Sequence, residues 1–235
     1  MNKSLAFFGR EKLLSRLRQL YLQRAHVLIV GREGIGKTAI LRQLRQVCPF
    51  LLCEETSSLR RIADGLERQL GWTHRRLNVI ERKNRLLAYL AKRGEPVVFD
   101  HVAATVPRVA RYMGRLSEKI PIWIACRSDQ PPEIGHVWQY LYKFTRVGIP
   151  PLSTVETQRL IVEAITAGSI QPDARRHLRE LHRLSKGNPR MLEELLIELS
   201  ARHYRMESSG LDLLALDRTI HELDTAIKAA VEQNT

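Results

Sequence analysis

Eight consecutive residues match the pattern G-x-x-x-x-G-K-[ST]: Gly31-Arg32-Glu33-Gly34-Ile35-Gly36-Lys37-Thr38. They stand between an apolar run, Val27–Val30, and a segment with the apolar spacing of a helix, which is the context that this pattern requires. The glycines let backbone amides turn toward one concavity, and the N-terminus of the following helix adds partial positive charge there. The pattern predicts a phosphate-binding loop in which Lys37 reaches the β- and γ-phosphates and the Thr38 hydroxyl ligates Mg²⁺.

Apolar runs and helical segments alternate on both sides of this loop. Helical spacing recurs at residues 13–21, 39–47, 59–70 and 86–90. Short apolar runs lie at residues 27–30, 50–53, 96–99, 120–126 and, more weakly, 144–149. Continuous apolar runs of this length are typical of parallel strands that are buried on both faces. The alternation predicts an α/β fold in which helices cover both faces of a parallel sheet.

The sequence changes character after Pro150, because helix start signals follow and no further strand-like run appears. Ser153 and Glu156 have the spacing of a capping box. We therefore expect a nucleotide-binding core over residues 1–150, a small all-helical domain over 151–207 and a C-terminal amphipathic helix over 208–235.

The apolar stripe of that last helix consists of Leu216, Ile220, Leu223, Ile227 and Val231. Such a stripe needs a surface to cover it. We expect the helix to dock on the helical domain of its own chain, and packing on a neighbouring subunit is the alternative.

The chain is strongly basic, and the charge is unevenly distributed. Its 235 residues hold 38 Lys and Arg against 25 Asp and Glu, and residues 1–150 hold 27 of these bases but only 12 of the acids. Twenty-nine of the bases are arginine, which suits bidentate contacts with phosphate. Two interpretations stay open: these arginines form solvated helix faces, or they form a surface that contacts nucleic acid.

The composition excludes several classes of protein. With 44% apolar and 27% charged residues, the chain can bury a core, so a disordered chain is excluded. No apolar run approaches the roughly 20 residues that a membrane span needs. Cys48, Cys53 and Cys126 lack the close pairs of zinc and redox sites, which predicts reduced, buried thiols. We expect a soluble cytoplasmic protein.

A magnesium ion bound to a phosphate needs a carboxylate, and Asp100 stands at the end of the run 96–99. Thr38 and Asp100 are therefore the predicted metal ligands. His101 follows directly, at a position where many hydrolases of this type carry an acid that polarises the attacking water. Imidazole is a different base near neutral pH, so we expect hydrolysis to be slow or to need a group from elsewhere.

Two arginines are further candidates for contacts with a triphosphate. Arg127 follows the run 120–126, where the phosphate edge of the sheet is expected. Arg190 follows the break at residues 187–189 in the helical domain and is placed to report the presence of a γ-phosphate. Lys37, Asp100, His101, Arg127 and Arg190 together make up the predicted catalytic set.

Five segments occur in the order found in one group of ATPases: FFGRE at 7–11, GREGIGKT at 31–38, PVVFDH at 96–101, IWIACRS at 122–128 and KGNPR at 186–190. They resemble, in that order, the box before the P-loop, the Walker A motif, the Walker B motif, the sensor 1 strand and the lid motif of the STAND-type and initiator-type ATPases of the AAA+ group. The resemblance covers about residues 5–200. Their combination is more specific than any single segment.

This resemblance implies a five-stranded sheet of order 5-1-4-3-2, a helical lid, and adenine held between the residues around Gly9 and the start of the lid. It also implies ATP and Mg²⁺ as ligands and oligomers in which an arginine reaches the next subunit's nucleotide. The candidates for that arginine are Arg111, Arg115 and Arg146. The residues expected to contact the nucleotide are Phe8, Gly9, Arg10, Gly31, Arg32, Glu33, Gly34, Ile35, Gly36, Lys37, Thr38, Ala39, Pro151, Pro189 and Arg190.

The chain departs from the larger members of these families, because it is short after the lid motif and His101 replaces the usual acid. It is similar in this respect to the small ATPases that regulate DNA transposition. The leading hypothesis is an ATP-dependent switch that assembles on DNA. The alternative is an adaptor that nucleotide stabilises and that recruits a protein partner through its terminal helix, and a small-molecule kinase is a weaker third hypothesis.

Overall fold

A five-stranded sheet forms the centre of the first of two compact units, residues 10–150. The computed structural model describes residues 10–73, 77–168, 170 and 172–201. The strands are β1 (Val27–Val30), β2 (Leu51–Cys53), β3 (Val97–Val102), β4 (Ile122–Cys126) and β5 (Thr145–Gly148). They are all parallel and lie in the order β2-β3-β4-β1-β5. This is the order 5-1-4-3-2 read from the opposite edge, so the predicted α/β fold is confirmed.

The degree to which each strand is buried explains how clear its apolar pattern is in the sequence. All five residues of β4 are buried, as expected for a central strand with helices on both faces. In β5 only Val147 is buried, and this strand pairs with β1 alone among the described strands. The edge position therefore accounts for the weak apolar pattern at 144–149.

The described residues of this unit also form seven helical segments. They are α1 (Glu11–Leu22), α2 (Lys37–Arg45), α3 (Leu59–Gln69), α4 (Val79–Arg93), α5 (Pro107–Ser117), α6 (Pro131–Ile134) and a 3-10 helix, His136–Lys143. The Ser58 hydroxyl caps α3, and Asn78 and Glu81 form a complete capping box at the start of α4. Helices α3 and α4 lie between β2 and β3 in the chain.

The core of the first unit is apolar but contains one buried ion pair. Phe99, Trp123 and Met113 are among its largest fully buried side chains. Between α3 and α4, Arg82 Nε donates to Glu67 Oε2 at 2.9 Å, and both side chains are buried. The three cysteines are free and buried as well, as the composition predicts.

The second unit begins at Pro151, and its described residues form helices only. These are α7 (Thr154–Thr166), a 3-10 helix (Pro172–His177), α8 (Leu178–Ser185) and α9 (Pro189–Ala201). The predicted capping box starts α7, since the Ser153 hydroxyl accepts from the Glu156 amide and the Glu156 carboxylate accepts from the Ser153 amide. The helix predicted over 208–235 lies outside the described residues. No described helix is long and apolar enough to cross a membrane.

Candidate nucleotide site

The loop between β1 and α2 adopts a conformation that depends on its glycines. Gly34 and Gly36 have φ angles of 73° and 95°, which other residues rarely adopt. A Cβ added at Gly31 would lie 2.9 Å from Ile35 Cγ2, so a larger residue there would force the Ile35 side chain to move. Helix α2 begins at Lys37, and its first-turn amides have no intrahelical acceptors. The loop thus brings a helix N-terminus to the carboxyl end of β1, a place suited to anions.

Lys37 lies within this loop and is held by it. Its Nζ donates to the carbonyl oxygens of Gly31 at 2.6 Å and of Arg32 at 3.0 Å. Only 9% of the residue is exposed. Burial lowers the pKa of Lys37, and the carboxylate of Asp100 is the largest of the charges that oppose this shift. The ammonium is therefore a partly desolvated cation that a phosphate group would stabilise.

Thr38 and Asp100 meet at the same edge of the sheet. Thr38 Oγ1 donates to Asp100 Oδ2 at 2.6 Å, and Asp100 is fully buried on β3. The other carboxylate oxygen accepts from the backbone amide of His101 at 2.8 Å. A hydroxyl and a carboxylate are hard oxygen donors, which are the ligands that Mg²⁺ prefers. The donor set fits the predicted metal.

His101 lies beside this pair in an unusual backbone conformation. Its φ angle is 53°, within a strand whose pairing with β4 shifts register between Phe99 and Val102. The ring Nε2 is 3.3 Å from Thr38 Oγ1 and 3.5 Å from Asp100 Oδ2. Its side chain is 63% exposed. Strained residues of this kind concentrate at functional sites, and here the strain places an imidazole next to the predicted metal ligands.

No protein-family model matches this chain, and no curated protein is significantly similar to it in sequence. Solved structures are similar in fold. Cdc6p from Pyrobaculum aerophilum has a TM-score of 0.60 at 18% identity over 83% of this chain and 61% of its own. The Walker-type ATPase of Pyrococcus abyssi has a TM-score of 0.66 at 14% identity over 97% of this chain and 76% of its own. This chain shares the fold of these two proteins.

The Orc1 protein of Aeropyrum pernix, solved in complex with DNA, also shares this fold, with a TM-score of 0.60 at 17% identity. The match covers 91% of the present chain and 66% of Orc1. The chain thus spans less than two thirds of the length of Cdc6p and of Orc1. The resemblance to AAA+ ATPases in the sequence motifs is confirmed at the level of the fold.

The fold also brings other predicted residues to the carboxyl ends of the strands, where the loop lies. Arg127 is exposed directly after β4, and its charge contributes to the lowered pKa of Lys37. Within the loop Arg32 and Glu33 are exposed, whereas Ile35 is buried. Ala39 is half-buried in the first turn of α2.

The other predicted residues belong to other parts of the chain. Arg10 is buried as the N-cap residue of α1, and Phe8 and Gly9 lie outside the described residues. Pro151, Pro189 and Arg190 belong to the second unit, where Arg190 Nε donates to Glu194 Oε1 at 3.0 Å. Their contacts with a nucleotide stay predictions.

The three candidates for an arginine that acts on a neighbouring subunit differ in their surroundings. Arg146 on β5 forms an ion pair with Asp129, with 3.0 Å between Nε and Oδ2. Arg111 and Arg115 are exposed on α5. None of the three is singled out as the residue that reaches a partner.

One residue that supports the site has no signal in the sequence. Thr56 is buried, and its hydroxyl donates to the carbonyl oxygen of His101 at 3.4 Å. This contact holds the strained residue from the side of β2. A single threonine after a strand matches no motif, so only the folded arrangement reveals its position.

Proposed function

We propose that this chain is an ATP-dependent switch of the AAA+ type. It binds ATP with Mg²⁺, hydrolyses it slowly and assembles into oligomers in the ATP-bound state, with DNA as its partner. The observation that carries this proposal is the convergence of Lys37, Thr38 and Asp100 at the N-terminus of α2.

Each of these residues has a separate task in the proposed site. Lys37 exchanges the carbonyl oxygens of Gly31 and Arg32 for phosphate oxygens. The negative charge of the phosphate then stabilises the partly desolvated ammonium. Thr38 and Asp100 hold the metal, which when bound neutralises charge on the phosphates. The exposed guanidinium of Arg127 adds a second positive charge at the same edge of the sheet.

His101 supports the proposal of slow turnover. A carboxylate next to the metal ligand is the usual group for polarising an attacking water, whereas His101 offers an imidazole, which is a different kind of base. The ring is also within reach of Thr38, so it competes with water for that hydroxyl. We therefore expect ATP to stay bound and unhydrolysed for longer than one binding event with a partner lasts, as a switch requires.

DNA is the proposed partner because of charge. Residues 1–150 hold 27 bases and 12 acids, and a surface of this sign attracts a polyanion. Orc1 of Aeropyrum pernix, which shares the fold, was solved with DNA. That observation belongs to Orc1 and makes duplex DNA a reasonable first ligand to test here.

The decisive experiment is calorimetric titration of ATP with Mg²⁺ into the wild-type chain and into Lys37→Ala. We expect the variant to lose at least a hundredfold in affinity, because its cationic contact with the phosphates is absent. Lys119→Ala is the matched control, since Lys119 is an exposed lysine after α5. Equal affinity of all three proteins would contradict the assignment of the loop.

The adaptor alternative makes a different prediction for assembly. The switch requires the mass of the particle to differ between ATP and ADP, whereas an adaptor stabilised by nucleotide keeps one mass with either ligand. Size-exclusion chromatography with light scattering, with ATP, ADP and no nucleotide, separates the two. Stimulation of ATP hydrolysis by duplex DNA would favour the switch further.

A further inference from the structure

A groove on the first unit, distant in sequence from the phosphate-binding loop, has an apolar floor. It is formed by the starts of α3, α4 and α5 and encloses about 680 Å³. Its apolar side chains are Leu59, Val79, Ile80, Val106 and Val109. Ile80 and Val106 are 65% and 49% exposed, which is unusual for large aliphatic residues that line one groove.

Positive charge lines the same groove. Lys83 is contributed by α4, and Arg108, Arg111 and Arg115 follow each other along α5, while none of the described residues that line the groove is acidic. None of these four cations forms an ion pair with the part of the chain that the structure describes. Exposed arginines elsewhere do so, as Arg42 does with Glu54 at 2.8 Å. A ligand that matches this groove needs both an apolar surface, for the aliphatic side chains, and acidic groups, for the four cations.

The nature of the floor decides between classes of occupant. A phosphate backbone would satisfy the arginines but has no side chains to cover Ile80 and Val106. An amphipathic helix with acidic flanks satisfies both requirements, because its apolar stripe fills the groove while its carboxylates meet the rim. The groove thus favours a helical protein segment over nucleic acid.

This chain carries a segment of that kind. Residues 211–235 contain five acids and two bases, and the sequence predicts an amphipathic helix there. Asp217 and Asp224 flank its predicted apolar stripe and are seven residues apart. Arg108 and Arg115 on α5 have the same separation, and seven residues span about 10.5 Å along a helix. Two carboxylates can therefore meet two guanidinium groups in one alignment of the helices.

We propose that the groove between α3, α4 and α5 binds residues 211–235 of a second copy of this chain. The contact pairs Asp217 and Asp224 with the arginines of α5, and the apolar stripe covers Ile80 and Val106. It requires no nucleotide, so it goes beyond the proposed ATP switch and stands or falls independently of it.

The test is a charge exchange followed by sedimentation velocity over a range of concentrations, with the full chain and without nucleotide. One variant carries Arg108→Glu with Arg115→Glu, and the other carries Asp217→Lys with Asp224→Lys. We expect the wild type to self-associate, each variant alone to associate at least tenfold more weakly, and an equimolar mixture of the two to recover the wild-type affinity. Recovery is expected because every helix then meets a groove of opposite charge.

The control variant is Arg16→Glu with Arg18→Glu, which makes the same change in net charge at exposed positions on α1. It should associate like the wild type. Thermal melts of all variants verify that the surface substitutions leave the chain folded.

Three results would overturn the proposal. They are a wild type that stays monomeric at every concentration, a mixture that does not recover association, and a groove variant that loses only affinity for duplex DNA. Lys37→Ala should keep the association, so a failure of nucleotide binding and a failure of this contact are told apart.

Discussion

Thr38 and Asp100 are 62 positions apart in the chain, yet one hydrogen bond of 2.6 Å joins them. Each side chain stands at the carboxyl end of a parallel strand or at the start of the helix that follows one, and these ends lie on the same side of the sheet. Their proximity is a consequence of topology. His101 lies at the same end of the strands and has a strained backbone.

That strain predicts how substitutions at His101 affect stability. The left-handed conformation costs a residue with a Cβ about 1–2 kcal/mol and is hardest for a β-branched side chain. We expect His101→Val to lower the free energy of unfolding by at least about 1 kcal/mol relative to His101→Gly. Urea denaturation of both variants measures this difference. Equal stabilities would show that φ at this position relaxes to negative values at little cost.

Cys53 gives a prediction for alkaline pH. Burial raises the pKa of its thiol from 9.0 to about 12. Above pH 9 the thiol ionises in the unfolded state but stays protonated in the folded state, which favours unfolding. The free energy of unfolding is therefore unaffected by this group below pH 9 and falls as the pH rises toward 12. Between pH 8 and pH 10 we expect the wild type to lose about 1 kcal/mol more stability than Cys53→Ala. Parallel urea titrations at both pH values make the comparison, and identical losses would contradict it.

At the scale of elements, the pair of helices α3 and α4 is joined by charge as well as by apolar packing. Arg82 is 5% exposed and Glu67 is fully buried, and Asp64 contacts the same guanidinium. Burial of a lone charge is costly, so neither partner tolerates removal of the other. The arginine thereby fixes how the two helices pack against each other.

We expect the buried ion pair to contribute more to the free energy of unfolding than an exposed ion pair does. We expect Arg82→Leu to lower the free energy of unfolding by about 3 kcal/mol, because Glu67 is left buried without its cation. Arg42→Leu is the control, since Arg42 and Glu54 are 65% and 46% exposed, and it should cost less than about 1 kcal/mol. Chemical denaturation of the two variants tests this, and similar losses would show that the buried pair has no special role.

The elements also show what the sequence can predict and what it cannot. Strand β4 and the loop at Gly31 follow from strong local patterns, a fully buried run and a glycine motif. Helix α5 has a weaker local signal in the sequence, because its N-cap residue, Val106, makes no side-chain cap before the helix begins at Pro107. The backbone of His101 is set by the shifted pairing of β3 with β4, which is a property of two strands together. Local patterns predict elements, whereas contacts between elements fix the details of the site.

The net positive charge of the chain leads to a prediction for DNA binding. Contacts with phosphates release counterions, so the logarithm of the affinity should fall linearly with the logarithm of salt concentration, by roughly 0.9 for each phosphate neutralised. We expect a slope of about −4 or steeper for duplex DNA of unrelated sequences, with ATP present. Fluorescence anisotropy between 50 and 200 mM salt, roughly the range in which such losses are large, measures it. An affinity insensitive to salt would exclude DNA as the partner.

The hydrogen bonds of Lys37 to Gly31 and Arg32 bear on the kinetics of the ligand. The Lys37 ammonium occupies the proposed anion site by binding two carbonyl oxygens of its own loop. An arriving phosphate must therefore displace the ammonium from these oxygens before it can bind. Association would then be gated by the release of that ammonium and slower than diffusion alone allows, and the loop would reclose behind a departing ligand. We therefore expect the proposed site to bind small free anions weakly, because they offer too few contacts to displace the Lys37 ammonium from its carbonyl partners.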